Sequence, residues 1–212
     1  MKKSLVIAID GPSASGKGTL AKKIAAHFDL PYLNTGALYR LVAFRAIERK
    51  SNPSEFENEI AGLVADIAEE ELEQEELFSE KVGVVASIIA KSPALRAALF
   101  DFQKDFVAKG KLEKNGAVLD GRDTTTVICA DADYKFFVTA DVEIRAQRRF
   151  DQLISKGDKV TFEEILAQLK RRDENDFNRA EAPLKIAVDA VVVDNGKLSI
   201  EEGFQRILQI IG

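Results

Sequence analysis

The stretch that decides the fold is Leu5-Val-Ile-Ala-Ile-Asp-Gly-Pro-Ser-Ala-Ser-Gly-Lys-Gly-Thr-Leu20. Its apolar residues 5–9 are typical of a strand that is covered on both faces. Gly11 and Gly16 then flank four residues and Lys17 follows, which is the spacing of a phosphate-binding loop. The sequence therefore predicts a buried strand, a polyphosphate-binding loop and the first turn of a helix, in that order.

The residue types in this loop fit the chemistry of phosphate binding. Backbone N–H groups converge on the phosphates, and the N-terminus of the following helix adds positive potential. We expect Lys17 to bridge the β- and γ-phosphates as a point charge. The strict pattern has Ser or Thr directly after the lysine, whereas Gly18 stands here and Thr19 follows it. The predicted nucleotide-binding residues are Gly11, Pro12, Ser13, Ala14, Ser15, Gly16, Lys17, Gly18 and Thr19.

Composition limits the function classes that need to be considered. The 212 residues fit one domain, and 46% hydrophobic and 31% charged residues are ordinary for a globular protein. A net charge of -5 argues against a nucleic-acid partner. No apolar run approaches the roughly 20 residues of a membrane helix, so we expect a cytoplasmic monomer with no membrane partner. The single cysteine, Cys129, is interpreted as a core residue, and the single histidine, His27, excludes multi-histidine metal centres.

Helical and strand patterns alternate after the loop, which predicts an α/β fold with a parallel central sheet and helices on both faces. Predicted strands cover 31–33, 116–120, 134–138 and 188–194, and predicted helices include 37–50, 82–91, 94–109, 141–156 and 161–175. The prediction is one domain with its core in 1–50, 115–148 and 181–212, an insertion at about 51–114 and a lid at about 149–180. The acidic run 69–76 is interpreted as a solvated face or a loose connector.

Arginines and carboxylates follow the predicted strands. The segments 34–40 and 120–123 stand where strands end, and ligands of open parallel sheets bind at the carboxyl ends of strands. Arg172, Asp176 and Arg179 have the spacing of one helix face.

Arg145, Arg148 and Arg149 also have the spacing of one helix face, where they repel unless anions lie among them. A bound triphosphate would supply those anions. The alternative is a set of weak surface ion pairs, Arg172 with Asp176 and the other three arginines with Asp141 and Asp151.

Several segments together resemble the bacterial cytidylate kinases, a family of nucleoside monophosphate kinases with the P-loop NTPase fold. They are Ile9-Asp-Gly-Pro12, Gly16-Lys-Gly-Thr19, Thr35-Gly-Ala37, Tyr39-Arg40, Asp120-Gly-Arg-Asp123, Arg172-Asp173, Asp176, Asn178-Arg179, Ala182-Pro-Leu184, Asp189-Ala190 and Leu198-Ser-Ile-Glu-Glu202. The resemblance covers nearly the whole chain. It implies a nucleoside monophosphate-binding insertion, a mobile lid, and CMP or dCMP as the acceptor.

The resemblance also implies roles for individual residues in binding the acceptor. The α-phosphate of CMP would contact Thr35, Arg40, Arg122 and Arg179, with Tyr39 nearby; cytosine would contact Ser87, Arg96 and Asp123; and the ribose would contact Asp176 with Arg172. Cytosine has an amino donor at C4, which a carboxylate accepts, and acceptors at N3 and O2, to which a guanidinium donates. Uracil has a carbonyl at C4, so Asp123 would reject it.

The implied reaction is transfer of the γ-phosphoryl group of ATP to a phosphate oxygen of CMP. That oxygen is already anionic, so no general base is needed. Catalysis then depends on positioning and charge neutralisation, which we expect from Lys17, Arg145, Arg148, Arg149 and Mg²⁺. Thr19, or Asp10 through water, would orient the metal ion. Closure of the lid would exclude water.

Four features depart from the family pattern. Asn34 stands where the family usually has Asp, and Thr124-Thr-Thr126 replaces an apolar-Gly-Thr segment. Thr125 in place of glycine is expected to change the backbone angles of that loop. Cys129-Ala130 replaces Phe-Pro, and the usual small strand hairpin of the insertion is absent from the sequence pattern.

Three other functions remain open on the sequence. A phosphate-loop kinase for UMP, AMP or a small metabolite is disfavoured by Arg96, Arg122 and Asp123. A GTP-hydrolysing switch usually has an Asn/Thr-Lys-x-Asp segment, which the sequence lacks. A non-catalytic binding protein descended from a kinase would differ only in activity.

Overall fold

The computed structural model describes residues 4–52 and 55–212. The first three residues of the predicted core, and residues 53 and 54 of the predicted insertion, lie outside the described residues. A five-stranded sheet forms the centre of the molecule, with the strand order β2-β3-β1-β4-β5 and only parallel pairs. The strands are β1 Leu5–Asp10, β2 Tyr32–Asn34, β3 Gly116–Gly121, β4 Tyr134–Thr139 and β5 Val191–Asp194. The predicted α/β class with a parallel sheet is confirmed.

Eight helices surround the sheet within the described residues. They are α1 Lys17–Phe28, α2 Thr35–Glu48, α3 Phe56–Val64, α4 Glu80–Ile89, α5 Pro93–Glu113, α6 Val142–Ser155, α7 Phe162–Asn178 and α8 Ile200–Ile211. Two of them begin with the capping boxes that the sequence contains, Thr161 with Glu164 and Ser199 with Glu202. Taken singly, none of these helices has the length and apolar character to cross a bilayer; α4 and α5 meet those criteria only together, across a 104° bend.

Alternate residues of β1 pack into two separate apolar clusters, one on each face of the sheet. Val6 and Ala8 pack with residues of α2 to α5, whereas Ile7 and Ile9 pack with residues of α1 and α8. Because all four side chains are almost fully buried, the sheet is covered on both faces. This is the predicted three-layer arrangement, and it places the carboxyl ends of β1, β3 and β4 side by side.

The acidic run is more ordered than the sequence indicated. It forms two short 3-10 turns, Glu69–Glu73 and Glu75–Phe78, from which Leu72 and Leu77 point into the core. Glu71 also binds the guanidinium of Arg45 through both carboxylate oxygens, at 2.8 and 2.9 Å. Most of the acids face solvent, as the interpretation as a solvated face predicted. The interpretation as a loose connector was wrong, because Leu72 within the run and Leu77 directly after it are buried.

A third apolar cluster joins α6 and α7 into a helical hairpin. Ala146 and Leu153 of α6 pack with Ile165 and Leu169 of α7, apart from the two clusters on the sheet. This hairpin coincides with most of the predicted lid. The hairpin therefore has a small apolar core of its own.

Gly110 allows α5 to approach β3 closely. A Cβ atom at this position would lie 2.5 Å from the carbonyl oxygen of Gly116 and 3.2 Å from the Cβ of Ala117. We expect Gly110→Ala to lower the free energy of unfolding by about 1–3 kcal/mol through overpacking, although alanine favours helices. Gly62→Ala in α3 is the matched control, because its Cβ would meet only the flexible end of Arg49. The control should raise stability by roughly 0.5–1 kcal/mol. Equal effects of both variants in urea denaturation would contradict this account of Gly110.

Candidate functional site

The loop 11–16 leaves β1 in backbone conformations that require glycine. Gly16 has φ of 90° and directly precedes α1, and a Cβ there would lie 2.4 Å from Nδ2 of Asn195. A Cβ on Gly11 would lie 2.0 Å from the carbonyl oxygen of Val138. The loop thus packs directly against neighbouring backbone and side chains, with its N–H groups near the start of a helix, as an anion-binding loop requires.

Lys17 lies at the bottom of this loop with few partners. Its Nζ is 3.4 Å from the carbonyl oxygen of Pro12 and 3.9 Å from Oδ2 of Asp120. Burial and the nearby Arg122 lower the pKa of Lys17 to about 7, although Asp120 opposes the shift. Burial raises the pKa of Asp120 in spite of Lys17 and a 2.5 Å hydrogen bond from Tyr32. An anion beside Lys17 would restore its charged form.

A cavity of about 740 Å³ opens over the loop, between α4 on one side and α6 and α7 on the other. Besides residues 13–19 of the loop, Lys17 among them, its lining includes four predicted site residues from elsewhere in the chain: Arg40, Ser87, Arg149 and Arg172. Apolar side chains of α4 and the turn before it, Phe78, Val84 and Ile88, form part of the wall. The remaining predicted residues are outside this lining: Gly11, Pro12, Thr35, Tyr39, Arg96, Arg122, Asp123, Arg145, Arg148, Asp176 and Arg179.

Several arginines lie close enough to disturb one another. Burial, together with Arg172, Arg149 and Arg122, lowers the pKa of Arg40 to about 9. Burial and Arg122 lower the pKa of Arg172 to about 10, although Asp176 acts in the opposite direction. Arg40 is held by neutral groups, namely the carbonyl oxygen of Leu77 at 2.7 Å and the ring of Phe78. Such an excess of positive charge favours a ligand with several negative charges.

Arg122 is paired with Asp176 across the site, through a 2.6 Å hydrogen bond from its Nε. Burial alone would lower the pKa of Arg122, but Asp176, together with Asp120 and Asp10, outweighs burial and raises it. The same pairing, with Arg172 nearby, holds the pKa of Asp176 below its usual value despite burial. The alternative left open by the sequence was a surface ion pair between Asp176 and Arg172. In the structure, Asp176 instead accepts a hydrogen bond from Arg122.

Two of the three predicted base-reading residues, Arg96 and Asp123, contact each other. Arg96 donates to Asp123 in a buried ion pair, and its guanidinium lies 5.8 Å from the ring centre of Tyr39. Arg179 is 3.8 Å from Oδ1 of Asp123 and donates to the carbonyl oxygen of Ala182. Its buried Nη2 has no hydrogen-bond acceptor among the described residues. A buried guanidinium nitrogen without an acceptor is suited to an anionic ligand.

The spacing predicted that Arg179 shares a face of α7 with Arg172 and Asp176, but in the structure it does not. The helix ends at Asn178, and Arg179 has an extended backbone with φ of -64° and ψ of 142°. The side chain nevertheless reaches Asp123 because the chain turns back beside the end of the helix, where Leu184 donates a backbone hydrogen bond to Asp176.

The three arginines of α6 have separate partners. Arg145 is buried and donates to the carbonyl oxygen of Ser13 at 3.1 Å and to both carboxylate oxygens of Asp173. Arg148 donates to the carbonyl oxygen of Asn195 at 2.7 Å. Arg149 alone among them lines the cavity. Arg145 thus links the phosphate-binding loop to α7, and its acidic partner is neither Asp141 nor Asp151.

Sequence reasoning missed two kinds of contact. Asn195 donates a 2.9 Å hydrogen bond to the carbonyl oxygen of Ser15, although it is not among the predicted site residues. Gln168 of α7 donates to Glu80 of α4 at 2.6 Å, and Lys91 donates to Asn175 at 3.2 Å. These contacts join the α6–α7 hairpin to the insertion across the cavity, and no sequence signal connects residues so far apart.

Comparisons with known proteins agree with this geometry. The family model described as cytidylate kinase matches residues 7–212. A cytidylate kinase from Azorhizobium caulinodans is 45% identical over 98% of both chains, and one from a Caulobacter species is 43% identical over 98% of this chain and 94% of its own. A solved structure of an uncharacterised protein from Eubacterium ventriosum shares the fold, with a TM-score of 0.55, 16% identity and 98% coverage of both chains. The chain belongs to the cytidylate kinase family.

Proposed function

We propose that the chain transfers the γ-phosphoryl group of ATP to CMP or dCMP and so forms CDP or dCDP. The observation that carries this proposal is the convergence of buried cations on one cavity beside a phosphate-binding loop. Lys17 and Arg40 have lowered pKa values because burial and neighbouring arginines disfavour their charged forms. The cations of the lining outnumber its three carboxylates, Glu73, Glu75 and Glu80, and two nucleotides meeting end to end would balance the excess positive charge.

The ATP side of the proposed site is the loop 11–19. Its backbone N–H groups and Lys17 would hold the β- and γ-phosphates, and Thr19, which lines the cavity, would offer its hydroxyl as a metal ligand. Bound Mg²⁺ would neutralise charge on the phosphate oxygens. Arg149, on the facing wall, would neutralise charge on the transferred group.

The acceptor side would use the second group of arginines. Arg40, Arg122 and Arg179, with the buried hydroxyl of Thr35, would hold the CMP phosphate, and Arg179 already has an unpaired buried nitrogen. Asp176 holds Arg122 in place before the phosphate arrives. On binding, Asp176 and Arg172 would then contact the ribose.

Base recognition would rest on Ser87, Arg96 and Asp123. The ion pair between Arg96 and Asp123 fixes the Asp123 carboxylate as an acceptor beside a guanidinium donor. That is the complement of the donor at C4 and the acceptor at N3 of cytosine.

The chemical step requires positioning more than proton transfer. An anionic oxygen of the CMP phosphate attacks the γ-phosphorus, the bond to the β–γ bridging oxygen breaks, and ADP leaves with that electron pair. The contacts of Gln168 with Glu80 and of Lys91 with Asn175 would hold the lid closed over the two nucleotides. A closed lid excludes water, which would otherwise compete as the acceptor.

The proposed activity is tested by measuring ADP release from Mg-ATP against CMP, dCMP, UMP, AMP and shikimate. We expect CMP and dCMP to be the preferred acceptors. Lys17→Ala should lower kcat by roughly 100-fold or more, because the buried charge on the phosphates is lost. Lys22→Ala, on the exposed face of the same helix, is the control and should leave turnover unchanged. Preference for shikimate or AMP, or near-normal turnover of Lys17→Ala, would refute the assignment.

Base selectivity provides an independent test through Asp123→Asn. The amide can turn its NH₂ group toward the C4 carbonyl of uracil, so the preference for CMP over UMP should narrow by about 10-fold or more. The ratio of kcat/KM values for the two acceptors measures this effect. Asp101→Asn, an exposed site on α5, should leave the ratio unchanged. A ratio that stays constant in Asp123→Asn would mean that Asp123 does not read the base.

The lowered pKa of Lys17 predicts proton uptake when ATP binds. Because that pKa is about 7 in the free protein, most Lys17 side chains are neutral when the pH is one unit above this pKa. Phosphate oxygens beside the amine favour its charged form, so binding draws a proton from solvent and weakens as the pH rises.

Isothermal titration of the protein with ATP, in two buffers that differ in ionisation enthalpy, measures this uptake. Lys17→Met serves as the control, since it keeps the volume and removes the titrating group. Equal proton uptake by the variant and the parent would mean that a group other than Lys17 takes up the proton.

A further inference from the structure

The carboxylate of Asp10 is enclosed by two threonines. Oδ1 accepts hydrogen bonds from the backbone N–H of Thr124 at 3.0 Å and from its hydroxyl at 2.6 Å. Oδ2 accepts from the N–H of Thr125 at 2.8 Å and from its hydroxyl at 2.6 Å. All three residues are at most 1% exposed. The buried carboxylate therefore accepts four hydrogen bonds, two at each oxygen.

This arrangement, the Asp10–Thr124–Thr125 clip, joins the two loops of the proposed site. Asp10 is the last residue of β1 and directly precedes Gly11 of the phosphate-binding loop. Thr124 directly follows Asp123, the proposed base-reading residue. The clip therefore spans from the loop for one nucleotide to the loop for the other.

The clip fixes the backbone on the far side of Asp123. Thr124 begins a π-helical turn, Thr124–Ile128, in which the carbonyl oxygen of Asp123 accepts from the N–H of Val127 at 2.9 Å. The methyl group of Thr124 packs over Gly121, where an added Cβ would lie 3.0 Å away. With β3 on one side and the clip on the other, the segment between Gly121 and Thr124 has little freedom to shift.

We infer that the hydroxyls of Thr124 and Thr125 are positioning groups that set where Arg122 and Asp123 stand relative to the phosphate-binding loop. This inference rests on the proposed function. It assigns Asp10 to the clip and not to the metal ion, because both of its oxygens accept two hydrogen bonds from threonine. Neither threonine lines the cavity, so each acts through its neighbours and not by touching a nucleotide.

The test replaces the hydroxyls without changing side-chain volume, in Thr124→Val, Thr125→Val and the double variant. We expect the KM for CMP to rise roughly 10-fold in the double variant. This effect is smaller than the loss of activity, on the order of 100-fold, that a misplacement of about 1 Å can cause. The preference for CMP over UMP should fall with it. The KM for ATP should change less than about twofold, because the phosphate-binding loop keeps its own contacts.

Serine variants are the matched controls. Thr124→Ser and Thr125→Ser lose a methyl group but keep the hydroxyl, so both should retain the parent KM for CMP and the parent base preference. If the double valine variant does not fold, as thermal unfolding would show, the two single valine variants decide the question. The inference is supported if the valine variants raise the KM for CMP but not the KM for ATP, and if the serine variants keep the parent KM for CMP.

Two results would overturn the inference. One is an unchanged KM for CMP in folded valine variants. The other is an equal rise in both KM values that serine does not rescue, which indicates a purely structural role. Failure of the proposed function is separate, because it would be seen as missing CMP-dependent ADP release in the parent protein.

Discussion

The site depends on holding several buried positive charges close together in a protein whose net charge is negative. Lys17, Arg40 and Arg172 have lowered pKa values because burial and their neighbours disfavour the charged forms. Carboxylates compensate only in part: Asp176 holds Arg122, and Asp173 holds Arg145. A buried charge without a partner is costly, so part of the stability of this region is available only when an anionic ligand binds. That is the electrostatic basis of the proposed affinity for two nucleotides.

The parallel sheet makes this arrangement possible. Asp10 and Gly121 lie opposite each other at the ends of β1 and β3, so the loops that follow emerge side by side. Each loop then turns into helical backbone, at Lys17 and at Thr124. Because ligands of such sheets bind at the carboxyl ends of the strands, two segments that are far apart in sequence form one cleft.

Much of the fold could be predicted because its signals are local. The apolar run of β1, the glycine spacing and the capping boxes each specify their own element. The partners of the charged groups could not be predicted, since they come from the packing of α6 and α7 on the loop. The spacing of Arg145, Arg148 and Arg149 indicated one shared face, but the structure gives these residues separate acceptors. Leu72 and Leu77 were overlooked for a similar reason, because their burial depends on the insertion that surrounds them.

Thr125 shows how a departure from a family pattern can be misread from sequence alone. A threonine in place of glycine suggests strain, but strain arises only where the backbone needs a positive φ. Thr125 is not among the residues with positive φ and belongs to a π-helical turn. Its hydroxyl then supplies a hydrogen bond to Asp10 that glycine cannot make. The threonine therefore adds a hydrogen bond that glycine lacks, and this hydrogen bond joins the two loops of the proposed site.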